Sequence, residues 1–276
     1  MTILISIENG FSSRYLLRTG ILKQLLAQNL PVVIASPNAH EDYFRQPLEA
    51  MGVRVIPQPT PAKEIPNSRH DKLERIRYYG LPDTTGGDNI DVKYRQYLAR
   101  KPMRRAVVAG FQFGVFAHRR SRRVRWGLEA VSQTLDLSVY RDILRRERVK
   151  LLVLDGIGST GPHIANWARA ARGICAAVTV ITNWDHPTTK GYRSRATERY
   201  LVWGPAMAQE LERRQDIPSE RIAQLGSALF DVYTTRGVLR ERAQICAEFG
   251  LDPARPIILY ISNSPVNFPD NYEIAR

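Results

Sequence analysis

Short apolar runs that end on a small or polar residue alternate with helix-forming segments along most of this 276-residue chain. At its start, strands are predicted at 2–8, 32–36 and 53–56, and amphipathic helices at 12–28 and 40–51. A strand-helix-strand order of this kind builds a parallel sheet, because right-handed crossovers return each helix onto a face of that sheet. The sequence therefore predicts an α/β fold with a doubly wound, mostly parallel, Rossmann-like sheet and helices on both faces.

The same alternation returns in the second half of the chain. Strands are predicted at 151–154, 178–182, 200–204 and 225–231, with helices at 162–172, 205–214 and 236–249. Between the halves, helices are predicted at 69–79, 92–125 and 131–147, with an exposed loop at 80–88. The carboxyl ends of parallel strands meet at one edge of the sheet, so polar residues that end these strands are candidates for a shared site.

The positive charge of the chain is concentrated in one segment. No acidic residue stands between Asp91 and Glu129, whereas this interval holds eleven of the lysines and arginines. Nearly all of the net charge of +13 therefore belongs to it. Such local basicity predicts an anionic partner. The arginines predicted to form this anion-binding patch are Arg104, Arg105, Arg119, Arg120, Arg122 and Arg123.

Within the basic segment, residues 106–117 are apolar apart from Gln112. A helix of this length measures about 18 Å, which is too short to cross a bilayer. Aromatic residues flanked by arginines are typical of a helix that lies in the interface of an anionic membrane, and the alternative is a buried helix with solvated arginine ends. Nucleic acid is not expected as a partner, because no helix-turn-helix, RNP or zinc-finger pattern accompanies the charge.

Several other kinds of site are not expected. The two cysteines, Cys175 and Cys246, are too isolated for a disulfide framework or a zinc site. The histidines show no metal-ligand spacing, so neither a metal nor another cofactor is predicted. The chain starts as a strand without a basic leader, which predicts a cytoplasmic protein, peripheral on the inner face of the plasma membrane if the basic helix binds lipid.

A Gly-x-Gly-x-x-Gly motif at 156–161 follows one predicted strand and opens a predicted helix. Small residues let backbone amides approach phosphate oxygens, and a helix N-terminus favours negative charge. Gly156 and Gly158 are therefore candidate ligand-contacting residues. Three interpretations stay open: an NAD(P)-dependent oxidoreductase, a site for another phosphate or a sugar, and a tight turn without a ligand.

The most specific pattern lies between Ile181 and Asp231. It comprises Asn183-Trp-Asp-x4-Lys190-Gly191, Tyr200-Leu-Val-Trp-Gly204, Ile217-Pro-Ser-Glu-Arg-Ile222 and Leu225-Gly-Ser-Ala-Leu-Phe-Asp231. In this order the segments resemble bacterial surface-polysaccharide glycosyltransferases of the two-domain GT-B type, within the superfamily that includes nucleotide-sugar 2-epimerases. Those enzymes carry an Asn/Ser-Trp-Asp-x4-Lys-Gly loop. The resemblance covers roughly 151–233, and His186 and Pro187 depart from it.

The resemblance implies an enzyme that transfers a sugar from a nucleotide-diphosphate sugar to a glycan or lipid-linked acceptor in cell-surface polysaccharide biosynthesis. It implies an acceptor-side domain at 1–250 with a basic helical insertion at about 57–150. It also implies a linker and the first strand of the donor-binding domain within 251–276, with the strand at 257–261. Such an amino-terminal half is expected to be inactive alone. A nucleotide-sugar 2-epimerase, a glycerophosphate transferase and a non-catalytic basic membrane-binding module are the alternatives.

Glycosyl transfer with inversion needs a general base that takes the proton of the acceptor hydroxyl. The candidate bases are Asp155, Asp185 and His186, and each of them could instead cap its own loop. Besides the two glycines, the candidate substrate-binding residues are Glu8, Asn9, Arg14, Trp184 and Lys190. Arg14 and Lys190 are expected to hold anionic groups, and Trp184 to stack on a sugar ring or simply to pack.

Overall fold

The computed structural model describes residues 1–59, 68–100, 104–131, 137–155, 162–192, 196–234 and 240–261. In these ranges it has seven strands: β1 Thr2–Ser6, β2 Val32–Ser36, β3 Arg54–Pro57, β4 Val149–Asp155, β5 Ala176–Val180, β6 Arg199–Val202 and β7 Ile222–Gln224. They form one sheet in the order β3-β2-β1-β4-β5-β6-β7, and every neighbouring pair is parallel. The predicted doubly wound α/β fold is confirmed.

Helices connect and cover the strands. Those described are α1 Gly10–Leu17, α2 Gly20–Ala27, α3 Asp42–Glu49, α4 Ser68–Tyr79, α5 Asn89–Arg100, α6 Arg105–Arg120, α7 Arg122–Val131, α8 Ser138–Arg146, α9 Pro162–Ala171, α10 His186–Thr189, α11 Pro205–Gln215 and α12 Arg242–Phe249. Short 3-10 helices lie at Pro37–His40, Ser219–Arg221 and Ala228–Tyr233. None of the described helices combines the length and the apolar character that crossing a bilayer requires.

A buried cluster lies on each face of the sheet. Successive side chains of a strand point to opposite faces, so a strand such as β1 contributes to both clusters. Ile3 and Ile5 of β1 belong to a buried cluster that includes residues of α1, α2 and α3. Leu4, between them, joins α8 and α9 in a second cluster around the fully buried Trp167. The alternation seen along β1 therefore specifies two separate cores, one on each side of the sheet.

The helix predicted over 12–28 is interrupted at Thr19. The Thr19 hydroxyl donates to the carbonyl of Tyr15 at 2.6 Å, and its Oγ1 accepts from the amide of Ile21 at 3.5 Å. A threonine that bonds its own backbone in this way ends one helix and caps the next. The helical spacing of apolar residues continues across Thr19. The sequence therefore predicted one helix, whereas the structure has α1 and α2.

The loop predicted at 80–88 and the strand predicted at 225–231 are wrong in part. Leu81 is fully buried in the cluster of α4, α5 and α6 rather than exposed, because aromatic side chains of those helices enclose it. The last strand, β7, ends at Gln224. Gly226 then adopts a φ of 78°, a left-handed conformation that takes the chain out of the sheet.

An ion pair ties the helical layer formed by α4–α7 to α11. Arg125 donates to both carboxylate oxygens of Asp216, at 2.7 Å from Nε and 3.1 Å from Nη2. Tyr192 donates its hydroxyl to the same carboxylate at 2.8 Å. The side chains of Arg125 and Asp216 are almost inaccessible to solvent. We call these three residues the Asp216 clasp.

The chain divides into two compact units, Met1–Asp231 and Val232–Arg276. In the second unit, α12 ends at Phe249, and Gly250 caps it in a left-handed conformation with a φ of 65°. The strand predicted at 257–261 is not formed, because the described part of this unit contains no other strand with which it could pair. The assignment of residues 251–276 to a linker and the start of a donor-binding domain stays a prediction.

Candidate active site

The strand order places a crevice at the carboxyl ends of β1 and β4. The chain leaves β1 toward β2 on one side, while β4 starts the run that continues through β7 on the other side. Loops that follow two such strands diverge, and ligands bind between them in doubly wound sheets. Glu8 lies two residues beyond β1, and Asp155 ends β4. The fold thus brings together two carboxylates that are 147 positions apart in the sequence.

The Glu8 carboxylate lies against the N-terminus of α9, where the backbone amide of Ile164 donates to it. Burial raises the pKa of Glu8 to about 7, and the Ile164 amide opposes this rise only in part. Within the described residues, the buried Oε1 of Glu8 has no hydrogen-bond partner. Glu8 is therefore able to hold or release a proton near neutral pH.

Asp155 is buried more deeply, with only 3% of its surface exposed. Burial raises the pKa of Asp155 to about 7, the negative charge of Glu8 contributes to the rise, and the Thr182 side chain opposes it. Its Oδ1 has no hydrogen-bond partner in the part of the chain that the structure describes. Because the two carboxylates interact, their protonation belongs to the pair and not to either residue alone.

Further buried polar atoms line this edge of the sheet. Gln58 Oε1, after β3, is buried and has no hydrogen-bond partner among the described residues. Thr182, after β5, is buried beside Asp155, and its side chain acts on that carboxylate. Gln58 is held in place by a hydrogen bond of 3.2 Å from its Nε2 to Ser6 Oγ. Proteins leave few such atoms unpaired, and those atoms commonly bind water or a ligand. We therefore take the carboxyl edge from β3 to β5 as the candidate active site.

Four polar residues near the two carboxylates were not predicted from the sequence: Thr182, Gln58, Tyr140 and Asn166. Thr182 and Gln58 follow strands, and that position is the one signal that could have found them. Tyr140 is fully buried, and its pKa is raised by burial and by the charge of Glu8, while Asn166 donates to its hydroxyl at 3.3 Å. Tyr140 and Asn166 lie on helices, and only the packing of α8 and α9 brings them to the carboxylates.

Asn9 and Arg14 lie just beyond Glu8. Asn9 Oδ1 accepts from both the amide and the hydroxyl of Ser12, at 3.0 and 2.9 Å, and so caps α1. Asn9 therefore fixes the direction in which the chain leaves the crevice. Arg14 is exposed on α1. The predicted contacts of these two residues with substrate stay predictions.

The loop after β5 exposes its tryptophan and encloses its aspartate. Asp185 Oδ2 accepts from the Thr189 hydroxyl at 2.8 Å, and its carbonyl accepts from the Thr188 hydroxyl at 3.0 Å. These bonds stabilise the loop, whereas the buried Oδ1 of Asp185 has no hydrogen-bond partner among the described residues, and the role of Asp185 as base stays a prediction. Trp184, by contrast, is 69% exposed. The loop therefore presents a flat aromatic surface at the carboxyl edge of the sheet.

His186 and Lys190 of the same loop are half-buried, and their predicted roles as base and anion-binding residue stay predictions. The Gly-x-Gly-x-x-Gly motif, with Gly156 and Gly158, lies outside the described residues. Its candidate role in binding a ligand also stays a prediction. Across the described ranges, no three His, Cys, Asp or Glu side chains are grouped so that they could hold a metal ion.

The loop closes at Gly191 against α4. Gly191 has a φ of 73°, and a Cβ at this position would lie 2.7 Å from Tyr78 Cα. Gly191→Ala is therefore expected to lower the free energy of unfolding by roughly 2–3 kcal/mol, since a left-handed alanine is strained and the Tyr78 backbone cannot move aside. Chemical denaturation followed by circular dichroism measures this change.

Gly173→Ala is the matched control for Gly191→Ala. Gly173 has a similar φ of 75°, but no atom lies within 4 Å of the position that its Cβ would take. The control should lose only about 1 kcal/mol, the conformational cost alone. Equal losses in the two variants would contradict the close approach of the loop to α4.

The arginines of the predicted anion-binding patch do not share one environment. Arg119 donates from Nη2 to Asp91 at 2.5 Å and to the carbonyl of Tyr79 at 2.7 Å, so it is used within the helical layer. The remaining five are exposed: Arg104, Arg105, Arg120, Arg122 and Arg123.

No family model matches the chain, and a search of curated proteins finds no match. A search of solved structures does find matches at low identity. A glycosyltransferase from Rickettsia africae ESF-5 matches with a TM-score of 0.44 and 11% identity, over 93% of this chain and 51% of its own. UDP-GlcNAc 2-epimerases from Neisseria meningitidis and Methanocaldococcus jannaschii match with TM-scores of 0.44 and 0.43 and identities of 12% and 9%. The two epimerase matches each cover 91% of this chain. The chain spans about half the length of all three structures.

Proposed function

We propose that this chain forms the acceptor-binding half of a nucleotide-sugar-dependent enzyme that transfers a sugar to an acceptor hydroxyl of a cell-surface glycan. The observation that carries the proposal is the pair Glu8 and Asp155. Both carboxylates lie at the switch point of the sheet, where Asp155 is buried and Glu8 half-buried. The pKa of each is raised to about 7, and each has an oxygen without a hydrogen-bond partner among the described residues. Such groups are suited to general acid-base chemistry near neutral pH.

The proposed reaction uses the pair as a proton acceptor. The acceptor hydroxyl attacks the anomeric carbon, the bond from that carbon to the nucleoside diphosphate breaks with its electron pair, and the hydroxyl proton passes to a carboxylate. Asp155 is the proposed base. The neutral form of Glu8 would then limit the repulsion between the two charges. Asp185 is the second candidate: the Thr189 hydroxyl donates to its Oδ2, and its buried Oδ1 has no partner among the described residues.

Trp184 is the proposed platform for the acceptor sugar. Its indole is exposed at the same edge of the sheet as the carboxylates, and an aromatic face stacks well on the apolar face of a sugar ring. Arg14 and Lys190 would hold phosphate or carboxylate groups of the substrates. The nucleotide of the donor would then be bound by other parts of the protein.

The decisive experiment incubates the protein in its full natural length with nucleotide-diphosphate sugars and glycan acceptors, and identifies the products by mass spectrometry. Release of nucleoside diphosphate together with a new glycosidic bond is the expected result. A donor sugar inverted at C2 without transfer would replace the proposal by an epimerase. Oxidation or reduction of a substrate that consumes NAD would replace it by an oxidoreductase.

Trp184→Ala is expected to raise the KM for the acceptor about fivefold and to leave kcat within twofold, because stacking supports binding and not proton transfer. Steady-state kinetics with varied acceptor measures this split. Trp126→Ala is the control, since Trp126 is also partly exposed but lies on α7 and follows no strand. Equal effects of the two substitutions would remove Trp184 from the proposed site.

A further inference from the structure

One side of α6 leaves large apolar groups in solvent. Phe113 is 71% exposed and Phe116 is 57% exposed, and Ala106, Ala109 and Gly110 are exposed as well. At about 100° per residue, these five positions fall on a single side of the helix. We call them the α6 face. Scattered exposed apolar residues are normal, but a contiguous aromatic face marks a surface that binds something.

The opposite side of α6 is already used inside the protein. Phe111 and Val115 belong to the buried cluster of the helical layer, and His118 is fully buried with its Nδ1 2.7 Å from the carbonyl of Gly80. The helix is therefore anchored and cannot turn to bury the two exposed phenylalanines. Of the two alternatives left open by the sequence, a wholly buried helix is excluded.

Both ends of the α6 face carry positive charge. Arg104 and Arg105 are exposed at its start, and Arg120, Arg122 and Arg123 are exposed at its end. The Arg120 guanidinium lies 5.8 Å from the centroid of the Phe116 ring, so the charge borders the apolar surface directly. Arg122 lies 3.7 Å from Asp216, so the charge at the end of the α6 face belongs mainly to Arg120 and Arg123.

The distribution of charge distinguishes between the partners that such a surface could bind. A duplex carries a phosphate charge about every 1.7 Å along its axis, and the uncharged centre of α6 would leave many of these charges unpaired. A bilayer interface presents anionic headgroups beside a hydrocarbon layer, which matches arginines around a central aromatic patch. The apolar stretch, at about 18 Å, suits a helix that lies in the plane of the interface.

We propose that the α6 face docks onto a bilayer that contains anionic phospholipid, with Phe113 and Phe116 inserted among the upper acyl chains and the flanking arginines on the headgroups. This docking is independent of the proposed function, because no residue of the α6 face belongs to the candidate active site. A loss of membrane binding would leave the chemistry on a soluble acceptor unchanged.

Co-sedimentation with vesicles of phosphatidylcholine, with and without phosphatidylglycerol, measures the docking. Each exposed arginine near an anionic surface should increase the partition coefficient roughly fivefold, so Arg104→Gln/Arg105→Gln should lower binding to the anionic vesicles about 25-fold. Phe113→Ser/Phe116→Ser should lower it roughly 100-fold, from about tenfold for each inserted ring.

Matched controls exist on other helices. Arg141 and Arg145 are exposed on α8, and Tyr43 is 70% exposed on α3. Arg141→Gln/Arg145→Gln and Tyr43→Ser should each change the partition coefficient less than about twofold, because these side chains do not face the bilayer in the proposed orientation. Effects equal to those of the α6 variants would overturn the proposal.

Insertion is separated from simple electrostatic adsorption by fluorescence. Phe113→Trp should be quenched by brominated acyl chains, whereas Tyr43→Trp should not. Three results would overturn the proposal: no quenching of Phe113→Trp, unchanged vesicle binding of the double phenylalanine variant, or displacement of the protein from vesicles by an equal charge of duplex DNA.

Discussion

Asp155→Asn is expected to lower kcat of the complete enzyme by about 10²–10⁴-fold, the usual contribution of a positioned general base. Asparagine keeps the size and the hydrogen-bonding shape of the side chain but cannot accept the proton of the acceptor hydroxyl. The fold should persist, because the carboxylate makes no ion pair in the described part of the chain that the substitution would break. Single-turnover kinetics with saturating acceptor measures the loss.

The same substitution should make the protein more stable above neutral pH. The folded-state pKa of Asp155 is about 7, above its ordinary value of 3.8, so burial favours the neutral form. The resulting stabilisation of the folded state is complete at pH values below the unfolded-state pKa. This stabilisation is lost as pH rises through about 7. Relative to Asp155→Asn, the natural protein should therefore lose on the order of 2–4 kcal/mol between acidic and mildly alkaline pH.

Opposite changes in activity and stability would identify Asp155 as a functional group and not as a structural one. Denaturant unfolding at a series of pH values measures the stability difference. Asp142→Asn is the control: Asp142 is 72% exposed at its side chain, and its substitution should alter neither quantity. If Asp155→Asn lowers activity and stability together at every pH, the carboxylate holds the fold and the proposed base must be sought elsewhere.

Arg125→Met should lower the free energy of unfolding by about 3–5 kcal/mol, the second large effect. Methionine fills much of the same volume but leaves Asp216 buried without its bidentate partner. Tyr192 would still donate one hydrogen bond, and Arg122 lies 3.7 Å away, yet neither replaces two charge-assisted bonds. Urea unfolding, monitored by circular dichroism, measures the change.

Arg145→Met is the matched control for the Asp216 clasp. Arg145 pairs with Asp142 at 4.0 Å, but both side chains are more than 60% exposed, and an exposed pair contributes little. A loss below about 1 kcal/mol is expected for the control. A similar small loss for Arg125→Met would show that the clasp is not a principal support of the helical layer.

The clasp also has a defined pH dependence. Its desolvation raises the pKa of Asp216, but the hydrogen bonds from Arg125 and Tyr192 and the charge of Arg125 outweigh this effect, so the pKa is lowered. A carboxylate with a lowered pKa stabilises the folded state above its unfolded value, and this stability is lost as pH falls through the folded value. The stability difference between the natural protein and Arg125→Met should therefore shrink as pH falls through the folded-state pKa of Asp216, because the variant has no such stabilisation to lose.

The sequence patterns located most of the elements but only part of the candidate site. The pattern of apolar residues predicted β1 and β2 at nearly their observed bounds. A buried strand is a run of apolar residues that can be recognised in the local sequence. Asp155 was selected for the same reason, because it ends a strand. Asp185 also ends a strand run, yet its carboxylate bonds Thr189, and no local pattern distinguishes these two environments.

The basic segment shows the same limit. Its composition predicted one patch of arginines with an anionic partner. In the structure, Arg119 and Arg125 turn inward to Asp91 and Asp216, and only their neighbours in the sequence remain exposed. Which arginine faces inward depends on where the acidic residues of other helices lie. A charge count carries no such information.

What the sequence determined by itself is the order of strands and helices, the edge of the sheet at which polar residues gather, and the segment that holds the charge. These are properties of neighbouring residues, written as periodicity and composition. The tertiary structure decided that Glu8 and Asp155 share a crevice, that Trp184 is exposed, and that Phe113 and Phe116 are left in solvent. Burial and proton affinity are set by atoms from distant segments, and only the folded chain brings those atoms into contact.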